Sequence, residues 1–463
     1  MSIQWEDFRK WFNRDFWRAF KHRTFPIFVP EATGDREKTV RKVYDSIISA
    51  RYAASIPEAE IVVNKGHGVA RTVPVFCIED YIVFYFCIKE LEDVLCGNRT
   101  ANTFGGWRLG GKMRRMEHLD VDLDSGSYSS RYSFNPLAWT QAFGEFNSLL
   151  FAQLDTGAFS HVLQFDLSNF YDSVRLDILE RWIREESNAS RGWIIALLFY
   201  FLNQWNRKNT GLHPQAVGIP QDALADCSRI LANFYLQKYD RFAAQICAKA
   251  DALYFRYADD QMILLKSPQN AERLMLLLTR HLDRFGLRIN QKKVDLWTTK
   301  QLQNFRCRPI QAIFANRGDN QDRHLVRKFT EAYLAIPEKR LSNTWNGGVP
   351  LLNRLLWAKL ESLPKKLYEK LLARYTAESY LLCADVEKIR RVGELNNMRS
   401  KRIDLAKRLC AIGDRSDHNA FHYEVLSFAK NSNNQALVSR FEARINVIND
   451  LMSHNEISDV ASA

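Results

Sequence analysis

The spacing of apolar residues changes period several times along the chain, and each change marks an element. Trp5, Phe8, Phe12, Phe16 and Phe20 recur at helical spacing, with Lys10, Arg14, Arg18 and Lys21 between them. This pattern predicts an amphipathic helix docked on the body through its rings, with an oligomer or nucleic-acid contact as the alternative. From Glu60 to Ile78 the text turns strand-like, with Ile61, Val62 and Val63 before Lys65-Gly66-His67-Gly68 and Val69, Val73, Val75 and Phe76 after it. The glycines suit the positive φ of a tight hairpin. A glycine-rich loop over Phe104 to Gly111 leads into the basic cluster Lys112, Arg114 and Arg115.

From His161 the pattern reads β–α–ββ–α–β. Val162 to Phe165 is a strand ending at Asp166, and a Trp-rich helical stretch covers Arg175 to Arg207. A loop, Lys208 to Pro220, precedes a long helical run from Ala223 to about Ala248. Two apolar runs, Leu253 to Arg256 and Met262 to Leu265, flank Tyr257-Ala258-Asp259-Asp260-Gln261, a hairpin with carboxylates at its tip. A helix from Ala271 to Phe285 stops at Gly286, and Leu287 to Ile289 returns as a strand. The expected class is α+β, an antiparallel sheet with helices on one face. Beyond Phe314 the text is helical and rich in Leu, Lys and Arg, and it closes in a polar tail, Ser453 to Ala463.

Composition narrows the function classes. With 463 residues, 46% of them apolar, the chain is too apolar for disorder and long enough for two or three packed units. Its most apolar stretches, Tyr81 to Ile88 and Ala196 to Leu202, are too short to span a bilayer. The first twenty residues mix acids, bases and aromatics, unlike a signal peptide. The expectation is a cytoplasmic protein with no membrane partner. Eight cysteines without a Cys-x-x-Cys pair suggest reduced, mostly buried thiols. A net charge of +12 favours a polyanionic partner.

Three acids change the picture. Template-directed polymerisation needs a primer hydroxyl to attack an α-phosphate and pyrophosphate to leave with its charge neutralised. Two divalent ions about 4 Å apart stabilise both oxygens, and magnesium prefers carboxylates, phosphate oxygens and water. Asp166 at a strand end and Asp259-Asp260 at a hairpin tip, with a helix between, would bring carboxylates from separate elements to one point. A lone Asp-Asp turn is usually solvated; the conjunction carries the reading.

Five segments then resemble, in order, the motifs of prokaryotic reverse transcriptases. Lys65, Gly68, Arg71, Pro74 and Asp80 resemble the fingers motif, and Phe165 to Val174 the first palm motif. Gly218-Ile219-Pro220-Gln221 with Ser228 to Leu236 resembles the second, Arg256 to Asp260 the third and Gly286 to Lys293 the fourth. The resemblance covers roughly Ile61 to Leu296. It implies a right-hand polymerase of fingers and palm followed by an all-helical thumb and C-terminal region, acting as an RNA-directed DNA polymerase. Residues 1–40 would be an N-terminal helical region, 41–300 fingers and palm (palm core about 135–174 and 216–300), and 301–463 the thumb and C-terminal part. The implied metal positions are Asp166, Leu167, Asp259 and Asp260, holding two Mg2+ ions with Mn2+ as an alternative. Tyr171 would exclude a ribose 2′ hydroxyl, Lys65 and Arg71 would clamp the triphosphate, and Gln221 would lie against template or nucleotide. Lys293 would protonate the leaving pyrophosphate, with adjacent Lys292 as its competitor.

The second motif departs from the common form. Asp222 follows Gln221 where glycine is usual, Ser228 lies seven places beyond Gln221, two more than usual, and Arg229 replaces a proline. The Ser228-Arg229-Ile230-Leu231-Ala232 form, together with the fingers and an all-helical C-terminal part, resembles bacterial defence-associated reverse transcriptases of the abortive-infection and unknown groups. That implies antiphage defence on a dedicated, co-encoded non-coding RNA, with untemplated or protein-primed synthesis as alternatives. The implied partners are an RNA template, a DNA product and deoxynucleoside triphosphates; an oligomer is left open. The rival classes are an RNA-dependent RNA polymerase, against which Tyr171 argues, and an RNA-binding scaffold without activity. In the C-terminal part, His418 and His422 lack a third ligand and read as structural. Lys388, Arg390, Arg391, Arg399, Lys401, Arg402, Lys407 and Arg408 could follow phosphates or be a solvated face.

Overall fold

The structure, a computed structural model, describes residues 3–13, 16–17, 20, 27, 35–64, 70–97, 99–105, 138–205, 218–221, 226–316, 318–337, 348–398 and 403–461. Lys65, Gly66, Gly68, the cluster at 112–115, Asp222, Arg399, Lys401 and Arg402 lie outside them. Contacts divide the chain into two compact units, Met1–Glu60 with Val73–Thr299, and Ile61–Thr72 with Lys300–Ala463.

The first unit is built on a six-stranded sheet. Its strands are β3 (Thr103–Phe104), β4 (His161–Ser168), β5 (Ala252–Tyr257), β6 (Asp260–Leu265), β7 (Arg288–Ile289) and β8 (Asp295–Thr298). The order is β3-β5-β6-β4-β7, with β8 also paired to β4. All pairs are antiparallel except β3 with β5. β4 runs past Asp166 to Ser168 instead of ending there. Leu167 and Ser168 pair with Ile289 and Arg288, so the backbone polar groups that would have ended the strand are satisfied.

Helices cover both faces of this sheet, not one. Tyr254 and Arg256 of β5 face the helix Asp226–Lys249, where they meet Asp240. Their alternates Phe255 and Tyr257 face the helix Ala138–Asp155, where Phe146 packs on both rings. Alternation along a strand sends neighbours to opposite faces. The apolar run through β6 is therefore a strand buried on both sides.

Around the sheet, the helices Ile78–Cys96, Leu176–Glu186, Gly192–Leu202 and Ala271–Asp283 share one core with it. The N-terminal aromatics join this core: Phe8, Phe12, Phe16, Trp17 and Phe20 are buried. Phe8 lies 4.7 Å from Phe86 and Phe16 4.9 Å from Tyr85 between ring centroids. The rings dock on the body, as their spacing led one to expect, but not from one helix: the first helix is only Trp5–Arg9, and the chain turns through Asn13, whose Oδ1 accepts from Phe16 N–H at 3.1 Å. Gly286, at φ +74°, closes the Ala271–Asp283 helix and lets Leu287 N–H reach the Leu282 carbonyl at 3.1 Å.

The second unit has its own apolar core, drawn from helices between Arg323 and the C-terminal helix Gln435–Ala461. β1 (Ala59–Asn64) and β2 (Ala70–Val75) form a two-stranded ladder whose outer part belongs to this unit. There Val62 N–H donates to Asn419 Oδ1 at 2.6 Å. Of eight cysteines, five are buried and all are free. No helix among the described residues is long and apolar enough to cross a membrane.

Candidate active site

β4 and β6 carry the acids. Their register opposes Asp166 directly to Asp260, and Asp259 is the last residue of the turn between β5 and β6. That turn is tight. Ala258 takes a left-handed φ of 53°, and its N–H donates to the Phe104 carbonyl at 3.1 Å, so the short strand β3 supports the tip. Asp166 is buried, 6% exposed. Burial, and then the Asp166 carboxylate beside it, pushes Asp259 up to about 6.

Lys293 answers this charge, with Nζ 2.8 Å from Asp166 Oδ2. Its segment is bound to the same residue through the backbone, because Asn290 N–H donates to the Asp166 carbonyl at 2.8 Å. The Asn290 side chain accepts from Lys292 N–H at 3.2 Å and so holds the 3-10 turn Gln291–Lys293. Of the two lysines left open by the sequence, Lys293 is the one that reaches Asp166.

The donor set suits a hard divalent ion. Two neighbouring carboxylates with one ammonium beside them leave uncompensated negative charge. Leu167 is buried and can offer only its carbonyl. Among the described residues, no three His, Cys, Asp or Glu side chains are already arranged around one point to hold a metal.

Tyr171 follows Asn169, itself left-handed at φ 44°, in the short helix Phe170–Ser173. Its carbonyl accepts from Ile219 N–H at 3.0 Å. Gly218, at φ +130°, lies so close that an added Cβ would stand 2.5 Å from the Tyr171 carbonyl oxygen and 2.7 Å from Asp172 Cα. Trp205 Nε1 donates to the Gly218 carbonyl at 3.2 Å. The first and second motifs are thus in backbone contact. Gln221 is half-buried beyond them.

Other expected residues stand on other elements. Arg71 is exposed on β2, in the second unit. Asp80 is buried at the start of the Ile78–Cys96 helix, accepting from Tyr52 Oη at 2.7 Å and Ser55 N–H at 3.0 Å. Burial pushes its carboxyl up against those bonds. Lys388, Arg390 and Arg391 pair with acids of their own region, Asp385, Glu387 and Glu394. His422 is buried with Nε2 on the Ser416 carbonyl at 2.8 Å, a structural role.

Residues 130–324 match the family described as "Reverse transcriptase (RNA-dependent DNA polymerase)". The chain carries a reverse transcriptase domain. Among solved structures, telomerase from Candida albicans in complex with a fragment of telomeric RNA is similar over 88% of this chain and 68% of that one, at 13% identity and a TM-score of 0.36. Apo telomerase from Candida tropicalis is similar over 88% and 71%, at 13% identity and 0.34. The family match, not these likenesses, carries the assignment. No curated protein matches the chain. The matched span holds Asp166, Asp259, Asp260 and Lys293, so the acid-bearing sheet is the palm of the reverse transcriptase domain, and the enzyme is an RNA-directed DNA polymerase.

One group escaped the sequence reading. Arg256, Asp240 and Asn233 form a buried cluster directly under the turn. The signal for it was Arg256 itself, a charge at a core position of an otherwise apolar strand.

Proposed function

We propose that this polymerase extends DNA at Asp166, Asp259 and Asp260, on a dedicated non-coding RNA, in antiphage defence. The observation that carries the site is the pair of adjacent carboxylates, Asp166 and Asp259, met by Lys293 on a sheet inside the matched span. Asp166 and Asp259, with the Leu167 carbonyl and Asp260 in support, would hold Mg2+. Bound there, the metal neutralises charge on the reacting phosphates and the leaving pyrophosphate. Lys293 is placed to hand a proton to that leaving group. Tyr171, fixed by Gly218, sets the sugar preference for deoxynucleotides. The defence reading is supported by the Ser228-Arg229-Ile230-Leu231-Ala232 form of the second motif. The residues inserted around Asp222 favour untemplated synthesis as the second reading.

The test is sequencing of nucleic acid that co-purifies from phage-challenged cells, wild type beside Asp259→Ala/Asp260→Ala. A specific RNA with complementary DNA in the wild type alone is the expected result and names the template. Homopolymeric or random DNA would support the second reading. RNA alone, equal in both samples, would leave an RNA-binding scaffold.

A further inference from the structure

We infer that Arg256 is a positioning residue that sets the metal-binding turn, by clamping the carbonyl of Ala258 to the helix Asp226–Lys249. Its guanidinium is fully buried, and all three nitrogens are used. Nε donates to Asp240 Oδ1 at 2.7 Å and Nη2 to Asp240 Oδ2 at 2.6 Å, a bidentate fork. Nη1 donates to Asn233 Oδ1 at 2.7 Å and to the Ala258 carbonyl at 2.8 Å. Asp240 and Asn233 sit on the same helix and are themselves buried.

The fourth bond distinguishes this cluster from a buried ion pair that only ties a helix to a sheet. Ala258 is the left-handed residue directly before Asp259. A non-glycine residue holds that conformation only where its surroundings over-determine it. Here two bonds do so, from Ala258 N–H to Phe104 and from Arg256 to the Ala258 carbonyl. Together they fix the peptide groups on both sides of Ala258, and with them the direction in which the chain enters Asp259. A ligand held by a supporting bond of this kind is pre-oriented for its ion, and loss of the support weakens metal affinity. Lysine could keep the charge pair with Asp240 but has no planar fork to serve Asn233 and Ala258 together.

The inference rests on the metal reading proposed above, and the test separates the two. Removing Arg256 alone would strand Asp240, so the main variant is Arg256→Met/Asp240→Leu, which replaces the pair by apolar groups of similar volume. Tyr254 Oη keeps a partner in Gln261 Oε1 at 3.4 Å. Two measurements are made on the metal-free full chain: hydrogen exchange of the peptide spanning 256–261, and Mn2+ binding followed by electron paramagnetic resonance.

The expected result is a melting temperature near wild type, faster exchange confined to that peptide, and Mn2+ affinity lower by about tenfold or more. Arg256→Lys should fall between the two. A folded double variant with wild-type exchange and wild-type Mn2+ affinity overturns the inference. If the double variant does not fold, Arg256→Lys decides: wild-type exchange and affinity there overturn it, and loosening of the turn supports it. Wild-type Mn2+ binding no tighter than that of Asp259→Ala would remove the metal reading, while the exchange measurement would still judge the clamp.

Discussion

Gly218 shows how one missing side chain serves the site. Its φ is +130°, and any Cβ there would come within 2.5 Å of the Tyr171 carbonyl oxygen, so each condition alone excludes another residue. Gly218→Ala must therefore push Tyr171 and Ile219 apart. A stability loss of about 1–3 kcal/mol is expected. With Tyr171 in the sugar contact proposed above, activity should fall about a hundredfold, because a displacement near 1 Å at such a contact costs that much. Single-nucleotide incorporation with dNTP against rNTP checks this: discrimination should relax along with rate. Unchanged discrimination would remove Gly218 from the sugar-sensing role. Gly218 was legible in the sequence as part of a motif. Its partner was not, because the contact joins segments distant in the chain by backbone proximity alone.

Among the elements, the N-terminal aromatic segment and the palm hairpin contrast with the short strands β3 and β8. The aromatic spacing from Trp5 to Phe20 announced rings docked on the core, since rings at helical spacing have one face to bury, but it gave no sign that the first helix stops at Arg9. Phe8 is fully buried and packs against Phe12, Tyr44 and Phe86. Phe8→Ala should cost about 3–5 kcal/mol, read as a lowered denaturant midpoint of the first unit, with Mn2+ binding at the palm unchanged in the folded protein. An effect within about 0.5 kcal/mol would mean the helix does not hold the core. The hairpin was equally legible through two apolar runs around two acids. β3 and β8 were not. β3 has only two residues, Thr103 and Phe104, and β8 keeps Leu296 exposed, so neither carries a periodic signal.

For the whole molecule, two separate apolar cores predict two unfolding transitions in calorimetry. Glu424, in the second unit, allows one transition to be assigned. Burial pushes its carboxyl up to about 7, although it accepts from Val386 N–H at 2.7 Å. Between its unfolded value near 4.5 and about 7, the folded state keeps a proton that the unfolded state has lost. Stability of that unit therefore falls as pH rises through this window and levels off above it, by up to about 3 kcal/mol. Glu424→Gln should flatten the fall in one transition and leave the other alone. A single transition, or a pH response shared by both, would show that the units unfold together.

Local chemistry determined what the sequence by itself could show. Apolar periodicity set the strands and helices, and acids at the ends of apolar runs marked the palm. Tertiary structure decided the rest. It carried β4 beyond Asp166 by pairing it with β7, covered the second sheet face with the Ala138–Asp155 helix, and set Lys293 against Asp166. It also placed Arg256, Asp240 and Asn233 under the turn. Each of these depends on which distant segments become neighbours, and a buried charge declares its purpose only when its partners are in place.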